Sequence, residues 1–171
     1  MITELSLDFA AKGSSVYDLG CSTGTTLLNL DQVIDKDVKF VGIDNSESML
    51  SQCRGNFEAH NVTRPYELVC ADLNRGIILE NASVVVMCLT LQFVRPLYRE
   101  QLVAEIFRQM NDMGALILVE KVLGEDSLFN RLFIKYYYDM KRRHNYSEME
   151  ISQKREALEN VLIPYKLLEN R

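Results

Sequence analysis

The sequence predicts an α/β fold in which a doubly wound, mostly parallel, Rossmann-like sheet carries helices on both faces. Short apolar segments alternate with segments of helical periodicity between residues 15 and 120, and the links between them are short. The segment Val-Val-Val-Met-Cys-Leu-Thr at 84–90 is almost wholly apolar, which is typical of a strand covered on both faces. Repeated β-α-β units of this kind pair their strands in parallel.

Five strands are predicted in order along the chain, each by an apolar run. They span residues 15–19, 38–44, 66–72, 84–90 and 115–120. Apolar spacing of three and four residues predicts helices that begin at 25–30, run from 47 to about 60 and run from 97 to 110. Ser46 has the side chain of an N-cap for the second of these helices. A turn at 111–114 is expected to lead into the fifth strand.

Both ends of the sequence read as helical. Ile2, Leu5, Leu7 and Phe9 predict a first helix, and from Asp126 an aromatic-rich helical stretch leads to a helix over 148–162 that Pro164 ends. We expect one domain over 1–171, with a core of about 14–122 and a helical segment of about 126–163. The strands that usually close such a sheet are not recognisable, so terminal elements are expected to be missing.

Composition excludes several classes of protein. Of the 171 residues 47% are hydrophobic, which predicts a globular core, and the net charge of −5 argues against direct binding of nucleic acid. The longest apolar run, 82–91, is too short to span a bilayer. The four cysteines form no C-x-x-C pair and the two histidines have no partners at metal spacing. We therefore expect a cytoplasmic protein with reduced, mostly buried thiols, surface histidines and no metal.

A glycine-containing loop, Asp18-Leu-Gly20-Cys-Ser22-Thr-Gly24, follows the first strand directly. Glycine lets backbone N–H groups approach a ligand closely, and the helix N-terminus beyond it favours negative charge. The loop matches the dinucleotide pattern G-x-G-x-x-G only loosely, because Ser22 replaces the second glycine. The loop therefore favours a protein that binds another nucleotide-like ligand over a nicotinamide-dependent dehydrogenase.

Acidic residues close the next two predicted strands. Asp44 ends the second strand, and its separation from the loop along the sequence is about that of the acidic residue that binds a ribose diol in dinucleotide-binding folds. Asp72 ends the third strand. Carboxyl ends of parallel strands meet at one edge, so Gly20, Asp44, Asp72 and the region 88–90 should share one crevice. The alternative is that Asp44 and Asp72 only end strands and cap the helices that follow.

A second polar cluster, 145–160, includes Ser147 and Glu150 at the spacing of a capping box. Composition alone predicts a solvated amphipathic helix here. The basic run 141–143 is likewise most simply a solvated face, and the tyrosines 136–138 are more often packing or subunit contacts than a site.

Six segments of the sequence are distinctive when they are taken together: Tyr17-Asp-Leu-Gly-Cys-Ser, Gly42-Ile-Asp-Asn-Ser-Glu-Ser-Met49, Asn81-Ala-Ser, Leu89-Thr-Leu-Gln-Phe93, Glu120-Lys121 and Tyr146-Ser-Glu-x-Glu-Ile-Ser-Gln-Lys-Arg-x-x-Leu-Glu-Asn-Val161. They resemble the bacterial carboxy-S-adenosylmethionine synthases, which have the class I methyltransferase type of fold. The resemblance implies that S-adenosylmethionine and prephenate become carboxy-S-adenosylmethionine and phenylpyruvate. A partner enzyme would use this product for 5-oxyacetylation of a tRNA wobble uridine. The resemblance also implies a homodimer.

The resemblance assigns roles to individual residues. Gly20, Cys21 and Ser22 would line the methionine and ribose region, Asp44 and Asn45 the ribose, and Asp72 and Leu73 the adenine. Arg155 would pair with the added carboxylate, a role that suits a planar guanidinium. Cys88 stands where the family has a cofactor-binding asparagine, and cysteine is a poorer hydrogen-bond partner. The family's upstream arm, with a tyrosine that closes over the cofactor, has no counterpart in the sequence.

Two other functions stay open at this point. A conventional S-adenosylmethionine-dependent methyltransferase would share the fold and the roles of Asp44 and Asp72. A non-catalytic adenosyl-binding homologue would keep the fold without the chemistry, and Cys88 is the residue that best supports it.

Overall fold

The computed structural model describes residues 1–158 and 161–170. The chain separates into two compact units, Met1–Val119 and Glu120–Arg171, and the boundary lies close to the predicted end of the core. The two units are described in turn.

The first unit is a five-stranded, wholly parallel sheet with the strand order β3-β2-β1-β4-β5. Its helices and strands are α1 (Ile2–Phe9), β1 (Ser15–Leu19), α2 (Thr25–Asp31), β2 (Lys39–Asp44), α3 (Glu47–Ala59), β3 (Tyr66–Cys70), β4 (Ala82–Cys88), α4 (Pro96–Gln109) and β5 (Met110–Val119). Short 3-10 turns follow β3 (Leu73–Arg75) and β4 (Leu91–Phe93). The order reverses between β1 and β4, which is where ligands bind in open α/β sheets. The predicted fold class is confirmed.

Alternating side chains of the strands build a separate core on each face of the sheet. On one face, Val16, Phe40 and Val84 pack with apolar residues of α2 and α3 such as Leu27 and Phe57. On the other face, Val85 and Met87 pack with Leu102 and Ile106 of α4. Strand residues contribute to both cores because successive side chains point to opposite faces.

The second face is covered less completely than a doubly wound sheet predicts. The connection from β3 to β4 contains the 3-10 turn Leu73–Arg75 and, among the described residues, no α-helix. A groove of about 940 Å³ therefore lies on this side of β1–β3, with Tyr17, Val41 and Val69 along it. Helical cover on this face comes from α4, which packs against β5.

The second unit is mostly helical, as the aromatic-rich and charged sequence predicts. It contains β6 (Val122–Leu123), α5 (Ser127–Arg143), α6 (Glu148–Leu158), β7 (Tyr165–Lys166) and a 3-10 turn at Leu167–Asn170. The strands β6 and β7 form a short parallel pair that the sequence did not predict. Asp126 caps α5 by accepting hydrogen bonds from the N–H groups of Leu128 and Phe129.

The structure corrects four predictions about where helices, strands and turns lie. Strand β3 ends at Cys70, two residues before Asp72, and β4 covers 82–88 instead of 84–90. The predicted turn at 111–114 is an irregularity inside β5, since Met110 pairs with Ala82 and Ala115 with Val84. Helix α6 ends its described part at Leu158, and Val161 and Leu162 lie outside the helix.

Two predictions about side chains are corrected as well. Lys141 is buried instead of solvated, with 9% of its surface exposed. The cysteines are thiols, but only Cys21 and Cys53 are buried, whereas Cys70 is exposed and Cys88 is half-buried. His60 and His144 are exposed, as predicted. The predicted capping box is present, because Glu150 N–H donates to Ser147 Oγ and Ser147 N–H to Glu150 Oε2.

Candidate functional site

A cavity of about 300 Å³ opens at the carboxyl ends of β1, β2 and β4, at the point where the strand order reverses. Seven of the residues predicted to bind the ligand line it: Gly20, Ser22, Asp44, Asn45, Asp72, Leu73 and Cys88. Its other lining residues are Ala71, Asn74, Leu89, Thr90, Phe93 and Val94. The cavity is thus polar along β1 and β2 and more apolar beyond β3 and β4.

The glycine loop forms one side of the cavity in a conformation that a side chain at Gly20 would prevent. Gly20 has a φ of +81°, and a Cβ there would lie 2.4 Å from Thr90 Oγ1. Gly24 ends the loop with a φ of +85° as the N-cap of α2. Ser22, between them, also has a positive φ of 50°. Backbone strain of this kind persists where the surrounding structure holds it and is frequent at ligand sites.

Asp44 ties this loop to the start of α3. Its Oδ2 accepts a hydrogen bond from Ser22 N–H at 2.9 Å, and its Oδ1 accepts one from Ser46 N–H at 3.0 Å. Ser46 in turn caps α3, since its hydroxyl accepts from Met49 N–H. The two interpretations of Asp44 are therefore compatible: the carboxylate orders two backbone segments and also lines the cavity. A carboxylate has further lone pairs to accept from a diol.

Asp72 lies on the opposite side and caps the 3-10 turn Leu73–Arg75. Its Oδ1 accepts from Asn74 Nδ2 at 2.7 Å and from Asn74 N–H at 3.0 Å. These hydrogen bonds, the side-chain one first, hold the pKa of Asp72 below its usual value. Apolar side chains such as Leu73 and Phe93 lie nearby along the wall. A negative charge at the edge of an apolar wall suits a flat heterocycle with an amino group.

Asp18 stands at the base of the loop and was not among the predicted binding residues. It is 1% exposed, and its Oδ2 has no hydrogen-bond partner among the described residues. Burial raises the pKa of Asp18 to about 7, with a smaller contribution from the charge of Asp44 and an opposing hydrogen bond with Thr26. The signal in the sequence was its place inside the first strand of a parallel sheet that is covered on both faces, because residues of such strands are buried whichever way they point.

The two cysteines assigned to the site differ in placement. Cys21 is 4% exposed and does not line the cavity; its Sγ lies under the loop, close to Gly42. A hydrogen bond with Cys53 and burial raise the pKa of the Cys21 thiol. The Cys21 side chain is therefore not part of the cavity lining, although its backbone belongs to the loop, and a role of Cys21 in ligand binding stays a prediction. Cys88 ends β4 and does line the cavity.

Arg155 lies in the second unit, on α6. It lines a separate cavity of about 270 Å³ together with residues of α5 and α6, including Tyr137 and Lys141. The nine predicted residues thus belong to two structural groups, eight in the first unit and Arg155 in the second.

Other kinds of site find no support in the described part of the chain. Its side chains contain no group of three or more potential metal ligands. None of the helices described is both long enough and apolar enough to cross a bilayer.

The first unit matches a family model described as a methyltransferase domain over residues 16–114. A carboxy-S-adenosyl-L-methionine synthase of Methylococcus capsulatus is 58% identical over 99% of this chain and 71% of its own length. Synthases of the same name from Shewanella sp. strain ANA-3 and Shigella boydii are 43% and 42% identical, over 91% and 95% of this chain. The chain spans 64% and 66% of these two relatives.

Solved structures agree on the fold. A putative S-adenosyl-L-methionine-dependent methyltransferase of Methanococcus maripaludis aligns with a TM-score of 0.61 at 17% identity, covering 94% of this chain and 74% of its own. TehB from Haemophilus influenzae aligns with a TM-score of 0.63 at 18% identity, covering 73% and 41%. Identities this low support the class I methyltransferase-like fold alone, whereas the family follows from the closer sequence relatives. Together with the cavity at the strand ends, these similarities show that the chain belongs to the carboxy-S-adenosyl-L-methionine synthase family of enzymes.

Proposed function

We propose that the chain provides the catalytic domain of a carboxy-S-adenosyl-L-methionine synthase. It would convert S-adenosylmethionine and prephenate to carboxy-S-adenosylmethionine and phenylpyruvate. The observation that carries the proposal beyond the fold is Arg155, a guanidinium in a cavity that makes no ion pair with any described acidic residue. Methyl transfer needs no such group, whereas a carboxylate product is bound well by one.

The first cavity fits the adenosyl ligand that this reaction requires. Gly20 packs against Thr90 in a loop conformation that any side chain there would prevent, and Asp44 presents a carboxylate at the end of β2. The apolar wall at Leu73 and Phe93, with Asp72 at its edge, suits an adenine ring. The unpaired Oδ2 of Asp18 adds a buried acceptor beneath the same loop. When bound, the ligand supplies a methyl group activated by its sulfonium.

The proposed reaction balances without an added oxidant or reductant. The bond between the prephenate ring and its carboxyl group breaks, and that carboxyl carbon forms a new bond to the methyl carbon. The ring hydroxyl leaves with one proton of the methyl group as water, and the ring becomes aromatic in phenylpyruvate. The role of Arg155 is to bind the carboxylate through two charge-assisted hydrogen bonds, which fixes its orientation.

Arg155→Ala tests this assignment. We expect the variant to keep its affinity for S-adenosylmethionine and to lose roughly tenfold or more in affinity for carboxy-S-adenosylmethionine, because a charge-assisted pair is removed. Calorimetric titration with both ligands measures the difference, and Arg131→Ala, an exposed arginine on α5, is the matched control. Equal affinities for the two ligands in Arg155→Ala would refute the role of Arg155.

Mass spectrometry of the ligand released on denaturation tests the function as a whole. An adenosyl sulfonium heavier by one carboxyl group supports the synthase. S-adenosylmethionine or its demethylated product favours a conventional methyltransferase, and no adenosyl ligand favours a non-catalytic homologue. Cys88 is the observation behind the last alternative, since it stands at the cavity in place of the family's asparagine.

The remaining expectations rest on the same proposal. We propose a cytoplasmic homodimer whose product serves a separate enzyme of tRNA wobble uridine modification. The net charge of −5 supports a synthase that does not itself hold RNA. Exposed apolar side chains on α5, such as Phe129 and Phe133, supply surface for a subunit contact. Light scattering measures the mass in solution. A monomer mass at protein concentrations well above micromolar would contradict the dimer.

A further inference from the structure

The cavity that contains Arg155 has an unusual concentration of positive charge. We call it the lysine–tyrosine pocket; Lys121, Tyr137, Lys141, Ile151, Lys154 and Arg155 line it. Its volume of about 270 Å³ is near the lower end for small-molecule sites, which begin at about 300 Å³. Four of these six side chains are cationic and none is acidic.

Three of the four charges lie on the sides of α5 and α6 that line the pocket. Residues 151, 154, 155 and 158 lie three and four positions apart and so share one face of α6. Ile151 on this face is only 6% exposed. Tyr137 and Lys141 are four residues apart on α5 and line the same pocket. Lys141 is buried here, whereas Lys121, Lys154 and Arg155 line the pocket and are also exposed to solvent.

The four cations lack the acidic partners that their neighbours have. Arg142, next to Lys141, pairs with Asp139 and Glu148 on the outer side of α5. Lys121, Lys141, Lys154 and Arg155 make no ion pair with any described acidic residue. Asp139 and Glu148 are thus paired with Arg142, and no acidic side chain lines the pocket.

Of these four cations, Lys141 is the one that is buried. Only 9% of its surface is exposed, and its Nζ lies 4.7 Å from the centre of the Tyr137 ring and 5.9 Å from that of Tyr146. Lys121 Nζ lies 4.4 Å from the centre of the same Tyr137 ring. Aromatic rings offset part of the cost of desolvating an ammonium group, but an anion is what neutralises two of them together.

We propose that Lys121 and Lys141 bind a carboxylate that the carboxyl donor keeps, in addition to the one that Arg155 receives. This inference rests on the proposed function, since it assumes a donor with two carboxylates on an unsaturated ring. The body of the donor would lie against Tyr137 and the apolar side chains of Ile151 and Leu158. The two lysines would then determine which acid is accepted, and Arg155 would act on the group that is transferred.

Two acids separate the roles of the lysines and of Arg155. Prephenate carries both carboxylates, and phenylpyruvate carries only the one that is kept. We expect Lys121→Met and Lys141→Met each to weaken binding of both acids roughly tenfold or more, because a charge-assisted pair is lost. Arg155→Ala should weaken the binding of prephenate and leave the affinity for phenylpyruvate nearly unchanged. Equilibrium titration of the full chain, followed by tyrosine fluorescence, measures the affinities of all three variants.

Controls keep the result specific. Lys135→Met removes the same charge from α5 at a position outside the pocket and should bind both acids normally. S-adenosylmethionine affinity should be unchanged in every lysine variant, which shows that the first unit is intact. Lys121 is exposed, so Lys121→Met retains a test if Lys141→Met does not fold. Inorganic phosphate serves as a competing simple anion.

The outcomes are distinguishable. Wild-type binding of phenylpyruvate by both Lys121→Met and Lys141→Met would overturn the inference and leave the proposed function standing. Tighter, lysine-dependent binding of phosphate than of either acid would overturn it in favour of a phosphate site. If the unaltered protein binds S-adenosylmethionine but neither acid, the inference falls together with the choice of prephenate as donor.

Discussion

Replacing Asp18 by asparagine should change how the stability of the protein depends on pH. Asp18 is almost fully buried at the end of β1, and burial is the main reason that its pKa rises from 3.8 to about 7. The folded protein therefore keeps a proton on Asp18 that the unfolded chain loses at about pH 4. Between these values the folded state binds more protons, so its stability falls as the pH rises.

The size of the effect follows from the two pKa values. One pKa unit corresponds to about 1.4 kcal/mol, so the full difference is about 4 kcal/mol, reached above about pH 7 and absent below about pH 4. Asparagine has nearly the same shape, cannot ionise, and still offers an oxygen to Thr26. Asp18→Asn should thus be increasingly more stable than the wild type as the pH rises from 4 to 8.

Urea denaturation of both proteins at several pH values between 4 and 8 tests this expectation. The difference between the two free energies of unfolding is the informative quantity, because titration of all other carboxylates cancels in it. A difference that does not change across this range would show that Asp18 ionises as readily in the folded protein as in the unfolded chain.

Three further predictions concern two glycines and a buried ion pair. Gly20→Ala should lose most of its affinity for the adenosyl ligand, measured by titration, because the new Cβ would lie 2.4 Å from Thr90 Oγ1. Gly55→Ala should instead stabilise α3 by up to about 1 kcal/mol, because nothing lies within 4 Å of the new Cβ. Arg64→Met should lower the free energy of unfolding by about 3 kcal/mol, since it removes a buried guanidinium that pairs with Asp31 at 2.6 Å and donates to the buried carbonyl oxygens of Ile34 and Val38. Asp31 keeps a second partner in this variant, Lys36 at 2.7 Å. A urea midpoint for Arg64→Met that equals that of the wild type would contradict the expectation for the ion pair.

The sequence predicted the sheet well because its signals are local. The apolar run at β1 and the cap at Ser46 depend on neighbours within a few residues, and both are as predicted. The end of β3 was misplaced because Asp72 follows apolar residues directly yet caps a 3-10 turn. The irregularity in β5 resembles a turn in sequence, since its Asn and Gly residues favour turns whether or not pairing continues.

Features of the sites that depend on residues far apart in the sequence could not be predicted from local sequence patterns. Burial of Cys21 follows from its contact with Gly42 on the neighbouring strand, and nothing near Cys21 in the sequence reveals it. The basic run 141–143 looks uniform, yet Arg142 pairs with acids while Lys141 is buried against Tyr137. Only the pairing of α5 with α6 separates the two.

The strand order has a consequence for the growing polypeptide. Strand β1 lies between β2 and β4, and Val16 pairs with both Phe40 and Val84. At synthesis rates of about 5–20 residues per second, the second of these partners follows the first strand by several seconds. During this interval one edge of an apolar strand is without its neighbour, and exposed edges invite pairing with other chains. The nascent protein is therefore expected to depend on chaperones until β4 has left the ribosome.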